Sequence, residues 1–293
     1  MKPQISIIIL NWNGKLMTEE CLNSLMPQTN KNFEIIVVDN GSTDGSPKYL
    51  IKKFPKINLI QNKKNLGYAE GNNIGVKNAK GSFILILNND VVLDKNFLKE
   101  VWKNKTKADI LGVKNYYYDK KNILWSVGSK VNKFTMKARL IGNKEIDQGQ
   151  YDKNFIPSQI VGSAMVINKK IINKIGFLDK KYFCYYEETE WQTRAKNKGH
   201  TISWIPKAKL WHKVGFSTGG GRTPLSAYYL VRNRGYFIKK WSKYKIIAYS
   251  YWIFEVFMRV FYGLLKDKKY AKMALRGMID FFNGKKGKLK RIA

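Results

Sequence analysis

The first third of the chain alternates short apolar runs with helix-length stretches, and this constrains the fold more than any other feature. Runs at 5–10, 33–38, 57–60 and 83–87 are dominated by Ile, Val, Leu and Phe, and stretches suited to helices lie between them at 18–25, 44–53 and 68–79. A strand buried on both faces reads as a nearly continuous apolar run, and strands alternating with helices build a sheet covered on both sides. The predicted class is therefore α/β, with a mostly parallel, Rossmann-like sheet flanked by helices. In such a sheet, ligands sit beyond the carboxyl ends of the strands. The polar residues after the first, second and fourth runs are predicted to converge there: Asn11-Trp12-Asn13, Asp39-Asn40 and Asn88-Asn89-Asp90.

Asp39-Asn40-Gly41-Ser42-Thr43-Asp44-Gly45-Ser46 is a turn cluster, and Ser42, Thr43 or Asp44 is the expected N-cap of the helix that follows. Residues 109–158 are less regular and read as edge strands and loops. Order returns with an apolar strand at 159–167, a short helix to 175, a helix at about 188–198 and a strand at 201–205. A glycine-rich loop at 215–222 precedes Thr223-Pro224, an N-cap and first-turn pair that opens a helix to about Trp241. The rest of the chain reads as basic, aromatic and helical.

Composition sets outer limits. A chain of 293 residues with 44% hydrophobic content can bury a sizeable core and is not wholly disordered. Cys21 and Cys184 match no zinc or redox spacing and read as free thiols in a reducing compartment. The net charge of +33 favours a polyanionic neighbour: nucleic acid, an anionic membrane surface or a phosphorylated substrate. A generally cationic, soluble surface is the plainer reading, because the lysines are spread along the whole chain. No signal core opens the sequence, so the catalytic part is expected in the cytoplasm.

Several segments offer chemistry, each with a plainer alternative. A carboxylate at a strand end, such as Asp90, can hold a divalent ion that bridges diphosphate oxygens; Asn88-Asn89-Asp90 equally fits an ordinary turn. Glu187-Glu188-Thr189-Glu190 packs three carboxylates together, and like charges raise one another's pKa towards the range of a general base. An acidic helix N-terminus is the other reading, and both can hold because Glu188 and Glu190 would point in different directions. His212 is a candidate metal ligand or an incidental structural histidine just beyond a strand, whereas His200 reads as a turn residue. Arg222, in the glycine-rich loop, is free to meet a phosphate, and Asn65-Leu66-Gly67 lead into a helix whose first amides suit an anionic or polar ligand.

Taken together and in this order, these segments resemble the family 2 glycosyltransferases of the GT-A fold, in their rhamnosyltransferase-like branch, over roughly residues 5–234. The resemblance implies that Asn11 and Asn13 belong to the donor loop, and that Asp39, beside Asn40, hydrogen-bonds the nucleotide base. Asn65 and Gly67 would lie beside the nucleotide and sugar. Asn88-Asn89-Asp90 takes the D-x-D place, with Asn88 where the first acid is usual; Asp90 and His212 would hold Mg2+ or Mn2+. The segment from Tyr186 to Trp191 resembles the E-D-x-D stretch, with Glu188 as the inverting base in place of Asp and with Glu187, Glu190 and Trp191 on the acceptor side. The implied activity is that of a hexosyltransferase-class enzyme. It would move rhamnose or a similar sugar from a nucleoside-diphosphate sugar to a glycan or polyprenyl-phosphate-linked acceptor, with inversion, in cell-surface polysaccharide assembly.

The expected organisation is a catalytic domain at 1–222, with a donor half at 1–108 and an acceptor half at 109–222, and a basic helical extension at 223–293. Residues 246–265 approach the length of a bilayer span, but Glu255 and Arg259 interrupt them and lysines flank them. They read as part of an interfacial helix pair, peripheral on the inner face of the cell membrane, with packing on the catalytic domain or at a homodimer seam as the alternative. The rival function is a basic nucleic-acid-binding protein. It predicts clustered Arg and Lys in a recognisable binding module, which the chain lacks, and it leaves the acidic 187–190 segment unexplained, so no nucleic-acid partner is expected.

Overall fold

The computed structural model describes residues 3–30, 32–153, 155–215 and 223–290. Its first half runs β1 (Ile5–Asn11), α1 (Lys15–Leu25), β2 (Phe33–Asp39), α2 (Ser46–Lys53), β3 (Asn58–Gln61), α3 (Gly67–Asn78) and β4 (Phe83–Asn88), close to the alternation read from the sequence. These four strands pair in parallel in the order β3-β2-β1-β4. Successive side chains of a strand point to opposite faces. Ile7, Ile9, Val37 and Leu85 accordingly pack with Cys21, Leu22 and Leu50 of α1 and α2 on one side. Ile8, Ile36, Val38 and Ile84 pack with Ala69 and Val76 of α3 on the other. One local expectation is corrected. The N-cap of α2 is Gly45, at φ 77°, and Asp44 instead accepts hydrogen bonds from the amides of Ser46 and Lys15.

The second half continues with β5 (Val91–Leu93), α4 (Phe97–Asn104), β6 (Ile110–Tyr117), β7 (Leu124–Ser126), β8 (Ser129–Val131), β9 (Ala138–Leu140), β10 (Ala164–Asn168), α5 (Lys169–Ile175), α6 (Glu187–Asn197) and β11 (Ile202–His212). The main sheet has the order β3-β2-β1-β4-β10-β6-β11-β5, with β7 alongside β6. Because β10 runs antiparallel to both β4 and β6 and β5 antiparallel to β11, while β6 and β11 pair in parallel, the whole sheet is mixed.

β6 is also not an edge strand, as residues 109–158 were expected to supply, but an interior one between β10 and β11. Its apolar signal is broken by Lys114, which is 1% exposed and paired with Asp147 at 2.9 Å and Asp152 at 2.5 Å. The strand expected over 159–167 is confined to Ala164–Asn168, and the preceding segment is a loop in which the amide of Ile160 donates to Gln192.

α7 (Pro224–Trp241), α8 (Lys245–Lys266) and α9 (Lys268–Phe282) complete the chain. Thr223 caps α7 as expected, exchanging hydrogen bonds with Ser226 in a capping box. The three helices share a core with Tyr182 and Met136, in which Val231, Phe237, Trp252 and Phe281 are buried. α7 thereby lies against the segment that leads into α6.

Candidate active site

Register aligns the polar residues at the carboxyl edge of the parallel strands. Asn11 of β1 lies opposite Asp39 of β2, and Leu10 lies opposite Asn88 of β4. Asn11 donates to Asp39 Oδ2 at 2.7 Å, while Asp39 Oδ1 accepts the Ser42 amide at 2.9 Å. Thr18 donates to Asn11 at 2.8 Å and accepts from Asn89 at 3.0 Å. Asn13, at φ 50°, accepts the Thr43 amide and donates its own to Ser42. Asn11, Asn13 and Asn89 are therefore committed to shaping the 39–46 loop and the strand ends. Asp39 keeps acceptor capacity, since a carboxylate takes about four hydrogen bonds.

Asn40 and Asn65 build the adjoining wall. Asn40 donates to Asn65 and to the Gly67 carbonyl, and it accepts from Asn62 and the Leu66 amide. Asn65 accepts the Gly67 amide at 2.8 Å. Gly67 has φ 87°, and a Cβ there would stand 2.5 Å from the Phe183 carbonyl and ring, so the chain has room for glycine alone. This close approach brings the start of α3 against the segment that precedes α6.

That segment aims the acids. Phe183, Tyr185 and Tyr186 all have left-handed backbones, at φ 66°, 66° and 71°, and Tyr186 is the N-cap of α6. Glu187 and Glu188 follow, each with a buried Oε2 that has no hydrogen-bond partner among the described residues. Burial pushes the Glu188 carboxyl above its ordinary range, against the pull of the backbone amides of Glu188 and Thr189. Burial and then the Glu188 charge push Glu187 well above it.

The Tyr68 hydroxyl donates to the Gly162 carbonyl at 2.8 Å and reaches Asn88 Oδ1 at 3.3 Å. Its own ionisation is pushed far up by burial and then by the charges of Glu188, Glu187 and Asp90. Tyr68 thus stands within the field of all three acids. The sequence reading passed over it, although it directly follows Gly67 in a quoted segment.

Asp90, two residues after Asn88, meets His212. His212 is the last residue of β11, not a residue beyond a strand, and its register partner is Val91, next to Asp90. Asp90 Oδ1 lies 3.2 Å from His212 Nε2, both side chains are buried, and Trp125 packs edge-on against the imidazole at 4.3 Å. Two neighbouring ligands of an octahedral ion at about 2.1 Å lie about 3 Å apart, so this oxygen–nitrogen pair has the spacing of a half-built cation site. Among the described residues no third His, Cys, Asp or Glu completes it.

Two residues expected on the acceptor side have fully buried side chains. Glu190 is fully buried and pairs with Lys240 at 2.6 Å and Arg194 at 3.4 Å, tying α6 to α7. Trp191 is also fully buried and donates to the Gly176 carbonyl at 2.8 Å within the core under α6. At about 100° per residue, Glu188 and Glu190 stand about 200° apart on α6 and point to opposite sides of it. Arg222 lies outside the described residues.

The Glycosyl transferase family 2 model matches residues 6–176, from β1 to the end of α5. The chain belongs to glycosyl transferase family 2. This glycosyltransferase is 27% identical over 259 residues to the dTDP-rhamnosyl transferase RfbF of Shigella flexneri, covering 82% of this chain and 81% of that protein. It is 28% identical over 211 residues to the low-salt glycan biosynthesis hexosyltransferase Agl10 of Haloferax volcanii, covering 69% of this chain and 64% of that one. Among solved structures, S. aureus TarS 1–349 in complex with UDP-GlcNAc superposes with a TM-score of 0.60 at 19% identity, covering 96% of this chain and 81% of that one, which identifies the GT-A fold. Membership of this family replaces the nucleic-acid-binding reading as an account of the chain's function.

Proposed function

We propose that this glycosyltransferase moves rhamnose or a similar sugar from a nucleoside-diphosphate donor to a hydroxyl of a glycan or polyprenyl-phosphate-linked acceptor, in one displacement with inversion. The observation that carries the reading is the Glu187–Glu188 pair, whose buried Oε2 atoms have no hydrogen-bond partner among the described residues and whose charges act on Tyr68 together with that of Asp90, itself 3.2 Å from His212. An inverting transfer needs a base on one side of the anomeric carbon and a charge acceptor for the leaving diphosphate on the other. The relatives' names support the donor class: one is a dTDP-rhamnosyl transferase, and the TarS structure holds UDP-GlcNAc.

In this reading Asp39 accepts from the base with its spare lone pairs, and Trp12, 52% exposed after Asn11, offers an aromatic face at the same strand end. Asp90 and His212 would hold a Mg2+ or Mn2+ ion, which would supply positive charge to a leaving diphosphate. Glu188 takes the acceptor's proton. Two backbone amides favour the charged form of Glu188 against one for Glu187, and Glu187 is pushed well up by burial and by the Glu188 charge. Tyr68 fixes the height of Asn88 and the Gly162 carbonyl beside that carboxyl.

The test is Glu188→Gln, assayed for sugar transfer and, by calorimetry, for nucleotide binding. Transfer should fall by about 10³-fold or more while nucleotide affinity stays within about threefold of wild type. Near wild-type turnover removes Glu188 as the base.

A further inference from the structure

Every charge carried by the body of α8 is turned towards the protein. Between its terminal lysines, Lys245 and Lys266, the helix has only Glu255 and Arg259 as ionisable acid and base. Glu255 is held by Arg234 of α7 and by Lys137, which lies beside β9. Arg259 donates to the Tyr270 hydroxyl of α9 at 2.7 Å. The same inner side buries Ala248, Trp252, Val256 and Gly263. The two residues that interrupt the apolar run in the sequence are therefore absent from the outer surface.

That outer surface is apolar where a solvated helix would be polar. Phe254, Phe257 and Phe261 are 57%, 65% and 53% exposed, and Leu264 and Leu265 continue the stripe. Leu275, Ile279 and Phe282 add an exposed apolar edge on α9. A stripe this long, on the side opposite the packed one, marks an interaction surface. Among the described residues no helix is long and apolar enough to cross a membrane, and one side of α8 is already packed on α7 and α9. The stripe is thus suited to lying on a surface rather than passing through it.

The charge around the stripe selects the partner. Exposed lysines stand at both ends, Lys243 and Lys245 before it and Lys266, Lys268 and Lys269 after it. Along the flank of α9 runs a cleft of about 300 Å³ lined by Tyr228, Arg276, Asp280, Lys285, Lys286, Lys288 and Lys290. Asp280 is already neutralised by Arg276 and Lys285, which leaves the other lysines of the cleft for an anion. A second copy of the chain is a poor fit, because a two-fold contact through this face would bring two lysine collars of a +33 chain together.

We propose that the outer faces of α8 and α9 dock on an anionic bilayer surface. The phenylalanines sit at the boundary of headgroups and acyl chains, and the lysines and the α9 cleft lie on lipid phosphates. This inference does not rest on the sugar-transfer reading, and its test reads binding alone.

The experiment is flotation of the full chain with vesicles of phosphatidylcholine, with and without phosphatidylglycerol. Wild-type protein should float with the phosphatidylglycerol vesicles and much less with phosphatidylcholine alone. Phe254→Ser, Phe257→Ser and Phe261→Ser combined should lower the bound fraction on anionic vesicles by about tenfold or more, with unchanged circular dichroism. Lys266→Gln, Lys268→Gln and Lys269→Gln combined should weaken binding to the anionic vesicles and leave the weak phosphatidylcholine binding as it was. The proposal fails if wild-type protein does not float with anionic vesicles, or if the phenylalanine variant floats equally well. It also fails if ultracentrifugation finds a dimer that the phenylalanine variant dissolves, which would assign the face to a second copy.

Discussion

Replacing Asn233 by Asp should cost this enzyme far more in turnover than in substrate binding. Asn233 is fully buried in α7, and its amide nitrogen lies 2.8, 2.7 and 2.8 Å from the carbonyl oxygens of Tyr182, Cys184 and Tyr185. Two hydrogens thus serve three acceptors, and Arg232 assists at Tyr182 from 3.2 Å. The same stretch holds Phe183, Tyr185 and Tyr186 in left-handed conformations. Each such residue stores on the order of 1 kcal/mol or more, so the segment is strained by about 3 kcal/mol. Removing two buried donors costs about 1–3 kcal/mol apiece, so the grip is as large as the strain it opposes. Aspartate preserves the shape but turns acceptors towards acceptors. The segment should relax and carry Glu187 and Glu188 out of register with Tyr68. At about 1.4 kcal/mol per factor of ten, kcat should fall by about 10²-fold. KM for the donor should change by less than about threefold, because Asp39, assigned to the nucleotide base, is held by Asn11 and Ser42 and not by the 182–186 segment. The assay is steady-state transfer on Asn233→Asp and wild type, with thermal melting alongside. A kcat within about threefold of wild type would refute the reasoning and show that the 182–186 segment holds its own shape.

Two further outcomes follow from the same geometry. Gly67→Ala places a Cβ 2.5 Å from the Phe183 carbonyl at φ 87°, and it should destabilise the fold by about 2–4 kcal/mol, read as a lowered midpoint in urea. Glu187 has a folded-state pKa raised by burial and by Glu188, so the folded protein binds the extra proton and gains stability below the ordinary carboxyl range. That stability is lost as pH rises towards the raised value. Glu187→Gln should therefore be more stable than wild type near about pH 8 and equal to it near about pH 4, as measured by melting temperature against pH; a constant offset would contradict this.

How much of this was legible in the sequence depended on how strongly burial was written into the residues themselves. β1, β2 and β4 were plain because continuous apolar runs have few alternatives, and their polar ends marked one edge of the sheet. β6 was not, because Lys114 looks like a surface residue until Asp147 and Asp152 close around it from a distant loop. Glu190 and Trp191 read by position as acceptor-side residues, and only the packing of α6 on α5 and α7 shows their side chains buried and paired. Tyr68 was hidden for the opposite reason, since a tyrosine in a helix ordinarily packs as a core residue. Arg232-Asn233-Arg234 did carry a signal: three strongly polar residues in the middle of an otherwise apolar, aromatic stretch must find buried partners. Which partners they find depends on long-range contacts that local pattern does not encode.

Asp90 and His212, 3.2 Å apart, are proposed to hold a divalent cation together with a bound diphosphate. Calorimetric titration of UDP and dTDP, with and without Mn2+, into wild type, Asp90→Asn and His212→Ala tests it most directly. Mn2+ should tighten binding of one nucleotide to wild type by about tenfold or more, and each variant should lose most of that gain while keeping its metal-free affinity. Nucleotide binding to wild type that ignores the metal, or a full metal-dependent gain in either variant, would contradict it.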